Sequence, residues 1–370
     1  MMYIWQEKDF PDFSFDNDKL ISGIENFTLQ LGVANGLILG FSKEIKQEIL
    51  TEIMLSEALK TSEIEGEYFS REDVMSSLKV NLEIKDYHTK SKNWKTDAIA
   101  KLMIEVQNSY SKKLTEDLLL NWHQILMKNE KNLNSGLFRT GSEPMQVVSG
   151  HFGHFTVHYE APPAQDLPEL IHQFIDWYQK FSINEFGKVG EAMIFSAIVH
   201  LYFETLHPFE DGNGRIGRAL AEKSLAEKLE MPVFISLSKA IEKDKNRYYS
   251  ELKKAQRNSH ITDWIYYFFG ILNEALLDSK NVVLFTLKKV NFFDRFKEML
   301  NDRQLKAINK MLEQGMGGFK GGMTAKKYIS INKTSKATAT RDLQHLADIN
   351  AFKMSGGGRS VSYQVNLEDV

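Results

Sequence analysis

The stretch from Gly190 to Leu206, GEAMIFSAIVHLYFETL, is apolar on nearly every side when wound as a helix. Such a helix is stable only where other elements cover it all round. It predicts the centre of the fold. Directly after it comes the glycine-rich break HPFEDGNG, then RIGRALAEKSLAEKLE, an amphipathic segment closing before Pro232. The order is buried helix, tight loop, second helix.

Few prolines, few β-branched runs and long stretches of 3.6-residue apolar spacing predict a mainly α fold elsewhere too. Ile45, Ile49 and Ile53 recur every fourth residue behind a Ser42 cap, and Gly66 supplies a stop, so one long helix should run to about Glu65. Between Met145 and Tyr159 the run MQVVSGHFGHFTVHY alternates around Ser149 to Gly153, which predicts a small β-hairpin ended by Pro162 and Pro163. From Asn301 onward 11 lysines and arginines face 6 acidic residues, whereas the whole chain carries −3. That basic segment reads as helix (Asp302 to Glu313), glycine loop, helix (Thr324 to Ile329), helix (Ser335 to Leu346) and a hairpin with a glycine turn, AFKMSGGGRSVSYQV. This is the order of a winged helix-turn-helix.

A chain of 370 residues exceeds what one core usually fills, so two or three units are expected. The absence of cysteine removes disulfides, thiolate zinc sites and cysteine nucleophiles from consideration and fits a cytoplasmic setting. The amino end, MMYIWQEKDFPDF, lacks the basic and apolar regions of a secretion signal. Trp264 to Leu277, interrupted by Asn273 and Glu274, is shorter than the ~20 residues that span a bilayer. It reads as a buried helix, and no membrane partner is expected.

His207 to Arg218, HPFEDGNGRIGR, carries residue types suited to holding a polyphosphate and a metal beside a base. Gly212, Asn213 and Gly214 let backbone amides turn inward where the following helix begins, and its dipole favours an anion there. Arg215 and Arg218, three apart, can reach one polyphosphate from one helix face. Asp211 offers a hard oxygen ligand for Mg²⁺. His207, with an ordinary pKa of about 6.5, suits a general base. Phe209 should point into the core and fix the loop.

These twelve residues resemble the Fic motif, HPFx(D/E)GNGRxxR, with no departure at its fixed positions. The resemblance implies a mostly helical fold and transfer of a nucleotide monophosphate, usually AMP from ATP, to a protein hydroxyl. It makes His207 the base, Asp211 the metal ligand, Asn213 an α-phosphate contact, and Arg215 and Arg218 the contacts to the β- and γ-phosphates. The ATP-binding run then comprises Asp211, Gly212, Asn213, Gly214, Arg215, Ile216, Gly217 and Arg218. Thr61 to Gly66, TSEIEG, matches the inhibitory motif (S/T)xxxE(G/N) of the same family at Thr61, Glu65 and Gly66. By that resemblance Glu65 pairs with Arg218 and keeps the γ-phosphate of ATP from binding productively, because one guanidinium cannot serve two anions equally.

Val157, His158 and Tyr159 occupy the position of the Fic target-docking hairpin, the flap, which holds a substrate segment as an added strand. Tyr248 and Tyr249 resemble the adenine-side aromatics, which stack on a base. His151, His154 and His158 have mixed spacing and no recurring acidic partner, so they read as surface histidines. In the basic segment Thr338, Thr340 and Arg341 could face a DNA groove, Lys333 and Lys336 phosphates, and Arg359 a wing contact, although many winged helices bind protein instead. The expected division is 1–95 for an amino-terminal helical region with the inhibitory helix, 96–278 for the catalytic core, and 279–370 for a linker helix and winged helix. Family analogy favours a homodimer. Two other readings fit the same residues: removal of AMP, or transfer of another phosphate-linked group, on the same fold, and an ATP-sensing DNA-binding regulator. The intact His207 argues against the last.

Overall fold

The computed structural model describes residues 2–84, 91–131, 133–151, 154–357 and 360–368, leaving Arg359 of the expected wing outside the described residues. The chain divides into two units, Met1–Ser279 and Lys280–Val370. In order come α1 (Ile21–Leu39), α2 (Lys43–Ile64), α3 (Arg71–Asn81), α4 (Trp94–Asn108) and α5 (Glu116–Met127), then a hairpin of β1 (Gln146–His151) and β2 (His154–Glu160). They are followed by α6 (Leu167–Lys180), α7 (Gly187–Leu206), α8 (Asn213–Leu229), α9 (Leu237–Glu242), α10 (Lys245–Ala255) and α11 (Thr262–Phe296).

The helix starts follow local chemistry. Ser42, Ser70, Asn93 and Thr115 each accept a hydrogen bond from a first-turn N–H of α2, α3, α4 and α5. Helix α2 ends where the sequence predicts, with Glu65 as its cap and Gly66 in the left-handed region at φ 83°. The hairpin falls on the predicted residues, antiparallel, with an irregularity between Val147 and Val148 that shifts its register.

Helix α7 is apolar all round because it is the wall between two cores. Ala197, Ile198 and Leu201 pack in one with Phe27 and Leu31 of α1 and Trp264 and Phe268 of α11. Phe195, Val199, Tyr202, Phe203 and Leu206 pack in the other with residues of α2, α4, α5 and α6. Among the described residues α7 is the one helix long and apolar enough to cross a membrane, and 89% of its most apolar window is buried inside the fold. The Trp264 to Leu277 stretch is a largely buried helix, as expected, and belongs to the 35-residue α11. Asn273 and Glu274 do not end it, because Asn273 bonds Asn26 and Glu274 pairs with Lys243 on the surface.

The second unit has the helices and hairpin its sequence predicts: α12 (Asp302–Leu312), α13 (Ala325–Asn332), α14 (Lys336–Asp348), β3 (Phe352–Ser355) and β4 (Ser362–Val365). Ile308, Met311, Tyr328, Leu343, Leu346 and Phe352 form its core. Asp342 inside it accepts from Arg303 Nε at 2.8 Å and from the Tyr328 hydroxyl at 3.0 Å. Lys333, Lys336, Thr340 and Arg341 are exposed. Thr338 is half-buried, its hydroxyl 3.0 Å from that of the Ser335 cap.

The approach of α8 to α7 sets the position of the loop between them. It depends on Gly217, where an added methyl would fall onto Glu204 Oε1 and stand 3.2 Å from a ring carbon of Phe203. Gly217→Ala is therefore expected to destabilise the fold by about 1–3 kcal/mol through overpacking, read as a lower urea midpoint. An unchanged midpoint would mean that the two helices separate without cost.

Candidate active site

His207 ends α7 in the left-handed conformation, φ 45°, with its N–H on Phe203 O at 3.0 Å. That turn delivers the chain into the loop and leaves the imidazole beside the start of α8. Burial pushes the imidazole down to about 4, with the Arg139 charge adding to the effect and Glu65, Asp211 and Glu204 opposing it. At neutral pH the ring is uncharged and able to accept a proton. Glu204, one turn earlier, places Oε2 3.9 Å from His207 Nδ1, and burial raises this carboxyl to about 7.

Phe209 is buried as predicted, stacked on His123 with ring centres 4.0 Å apart. Asn213 closes the loop over it, accepting from Phe209 N at 2.9 Å and donating to Phe209 O at 2.8 Å. The Asn213 side-chain amide is thus engaged at both ends with the loop backbone. Gly212 adopts φ 84° and faces Met127 and Leu126, where a side chain would collide. Asp211 is 61% exposed; its Oδ1 accepts from Gly212 N at 2.5 Å and lies 3.4 Å from Arg215 Nη2.

The Thr61 to Gly66 segment meets α8 at Gly214. A methyl on Gly214 would overlap Glu65 Oε1 and stand 3.0 Å from Arg218 Nη1, so the missing side chain is what admits the carboxylate. Glu65 Oε1 accepts from Arg218 Nη2 at 2.7 Å. Thr61 completes the seat: its hydroxyl accepts from Arg218 Nε at 3.0 Å and Nη2 at 2.8 Å, and its carbonyl from Nη2 at 3.2 Å. Arg218 is buried, which opposes its charge, yet the Glu65 carboxylate holds it above its ordinary range. Arg215 is occupied as well, with Nη1 3.0 Å from Glu67 Oε2. Lys95 grips Glu67 at 2.5 Å and Glu130 at 2.6 Å, and Lys245 Nζ donates to the carbonyl of Ile64.

The structure thus gathers Thr61, Glu65, Gly66, His207, Asp211, Gly212, Gly214, Arg215 and Arg218 at one place. Other expected residues sit elsewhere. Ile216 is buried in the apolar core and Gly217 packs on α7, so these two serve the scaffold. The tyrosine pair is split: Tyr248 is 1% exposed with its hydroxyl 2.8 Å from His200 Nε2, which leaves it no free face for a base, whereas Tyr249 is 40% exposed. In the flap Val157 is exposed, but Tyr159 is buried, its hydroxyl donating to Thr205 O at 2.5 Å. It anchors the hairpin. The side chains of His151 and His154 lie outside what is described. Among the described residues no group of three or more histidine or acidic side chains stands where it could hold a metal, so any ion here would rest on Asp211 with phosphate oxygens and water.

Sequence reasoning missed Glu67, Lys95, Glu204 and Arg139. Glu67 follows the inhibitory motif by one residue, and Glu204 precedes His207 by one helical turn, so both had a positional signal. Arg139 had none. It is 5% exposed and donates to the carbonyls of His207 at 2.8 Å, Pro162 at 2.6 Å and Leu206 at 3.4 Å.

A sequence profile described as Fic/DOC family matches residues 113–225, and one described as a domain of unknown function, DUF4172, matches residues 3–84. A probable protein adenylyltransferase of Aquifex aeolicus (strain VF5) is 31% identical over 105 residues, 28% of this chain and 29% of that protein. The protein adenylyltransferase Fic of Nematostella vectensis is 27% identical over 146 residues, 39% of this chain and 29% of that protein. The matches thus span under a third of the length of either relative. A Fic family protein from Desulfovibrio desulfuricans G20 superposes with a TM-score of 0.55 at 17% identity, covering 96% of this chain and 98% of the other. The chain carries a Fic/DOC family domain and folds as Fic proteins do.

Proposed function

We propose that this chain transfers AMP from ATP to a hydroxyl group of a protein and that Glu65 holds the reaction off. The observation that carries the reading is the seat of Glu65: a carboxylate on Arg218, over Gly214 at the start of α8, beside an uncharged imidazole. A helix start with two arginines on one face is a place for phosphate, and here a protein carboxylate fills it. Adenylyltransferase relatives with the same domain support the choice of donor.

The hydroxyl oxygen attacks the α-phosphorus as the bond to the β-phosphate bridging oxygen breaks, and pyrophosphate leaves with that electron pair. His207 takes the hydroxyl proton. Arg215 and Arg218 offset the phosphate charge, so the catalysis rests on placement and neutralisation with no enzyme nucleophile. Asp211 is the residue that would hold Mg²⁺, which when bound adds positive charge beside the departing oxygens. Among the described residues β2 pairs with no strand but β1, which fits a target segment added along its other edge. The second unit we read as a winged helix-turn-helix, supported by its three helices, its hairpin and the bridge between Met323 and Tyr363.

Glu65→Gly should raise AMP transfer roughly 10–100-fold, the value of the one charge-assisted hydrogen bond that competes with the γ-phosphate. With labelled ATP the gain appears as autolabelling or as labelled bands in lysate, and Arg218→Ala in the same chain should remove most of it. No rise in a folded variant that binds ATP would reject the brake.

In the released chain His207→Ala should lower the transfer rate by about 10²–10⁴-fold with ATP affinity retained. Because the imidazole is held down near 4, the same chain should show no loss of kcat/KM from base protonation between about pH 7.5 and 5.5. An acid limb centred near 6.5 would mean that the base is an ordinary exposed imidazole.

A further inference from the structure

The carboxy-terminal carbonyls of α7 can be accounted for one by one, as a helix end requires. Phe203 O accepts from His207 N at 3.0 Å, Glu204 O from Gln256 Nε2 at 3.2 Å, and Thr205 O from the Tyr159 hydroxyl at 2.5 Å. Leu206 O and His207 O both accept from Arg139, at 3.4 and 2.8 Å. Neutral donors suffice for the first three. Only at the last two carbonyls, those of Leu206 and the imidazole-bearing His207, does the fold place a buried cation, and among the described residues Arg139 has no carboxylate partner. Burying an unpaired guanidinium is costly, so its charge or its fork must do something a glutamine could not.

The fork answers part of this. Arg139 Nη2 also donates to Pro162 O at 2.6 Å, just beyond β2, while its own N–H donates to Pro208 O at 2.9 Å. One residue, through its side chain and its own N–H, therefore binds the backbone at the active-site loop entrance and the foot of the hairpin. The charge answers the rest. The imidazole is favoured in its protonated form by the carboxylates of Glu65 from beyond α2 and Asp211 from the loop and by the backbone carbonyl of Glu204, with the Glu204 carboxyl 3.9 Å away, and Arg139 acts with burial against them.

We propose that Arg139 is a positioning residue for the base: it fixes the His207 backbone and the foot of the docking hairpin in one frame, so that the imidazole meets the hydroxyl of a segment laid along β2. The inference rests on the reading of His207 as base and β2 as docking edge. Arg139 touches no reacting atom and acts only through His207.

The test uses the full chain carrying Glu65→Gly, with Arg139→Met and Arg139→Lys added separately. ATP half-saturation should stay within about twofold, because the anion seat on α8 is untouched. Autolabelling in Arg139→Met should slow by about 10²-fold, the scale of a 1 Å misplacement of a reacting group. Arg139→Lys should recover at least tenfold of that loss, since an ammonium can still reach a carbonyl. By NMR the His207 ring should titrate higher in Arg139→Met than in its Glu65→Gly parent, because the Arg139 charge joins burial in holding the ring down, a change that a helix cap alone would not produce. A labelling rate within twofold of the parent, or an unmoved ring titration in the folded variant, overturns the proposal. If the ring titration moves as stated but the Glu65→Gly parent itself labels nothing, the positioning stands and the transfer reaction is wrong.

Discussion

The site depends on a guanidinium that has been taken out of water. Arg218 is 1% exposed, and a buried charge of that kind is tolerated only with a well-placed anion and its remaining donors satisfied. Thr61 takes up part of the fork, and Glu65 takes up the rest over Gly214. On the proposed reading a phosphate group competes for the place that Glu65 holds. The competition follows from the burial, since an exposed arginine could serve both anions through solvent at little cost. On the proposed reading the seat of Glu65 and the seat of a phosphate group are the same place.

Around it the chain from Ile64 to Glu67 is held at every step: Lys245 on the carbonyl of Ile64, Arg218 on Glu65, and Arg215 and Lys95 on Glu67. Both motif arginines are therefore engaged with carboxylates from one short segment. Displacing Glu65 from its seat strains contacts that reach α4, α8 and α10, which makes release a property of the whole segment. The opposite wall is built for rigidity. Helix α7 is enclosed by two cores, and its last carbonyls are bonded by donors from the hairpin region and α10's end.

Much of this could be read from the chain. The Fic motif is contiguous, so spacing alone places His207, Asp211, Gly214, Arg215 and Arg218 together, and the apolar wall of α7 announces its own burial. The end of α2 was legible because a serine cap and a glycine stop bracket it. What failed to show were matters of direction and distance. Tyr248 and Tyr249 are neighbours in sequence, yet helix geometry sends one ring to His200 and the other outward. Ile216 and Gly217 share the motif with the arginines but lie on the face of α8 that packs inward. Arg139 stands 68 positions before His207 in sequence, and only the folded chain brings its fork to three carbonyls.

If Glu65 and the γ-phosphate contend for Arg218, calorimetric titration of the unaltered chain with ATP and with ADP reads that contest. While Arg218 is held by Glu65, the γ-phosphate gains no partner there, so the two nucleotides should bind with affinities within about threefold of each other. A preference for ATP of tenfold or more, about 1.4 kcal/mol, would mean that the γ-phosphate already reaches a free guanidinium and that Glu65 does not stand in its way.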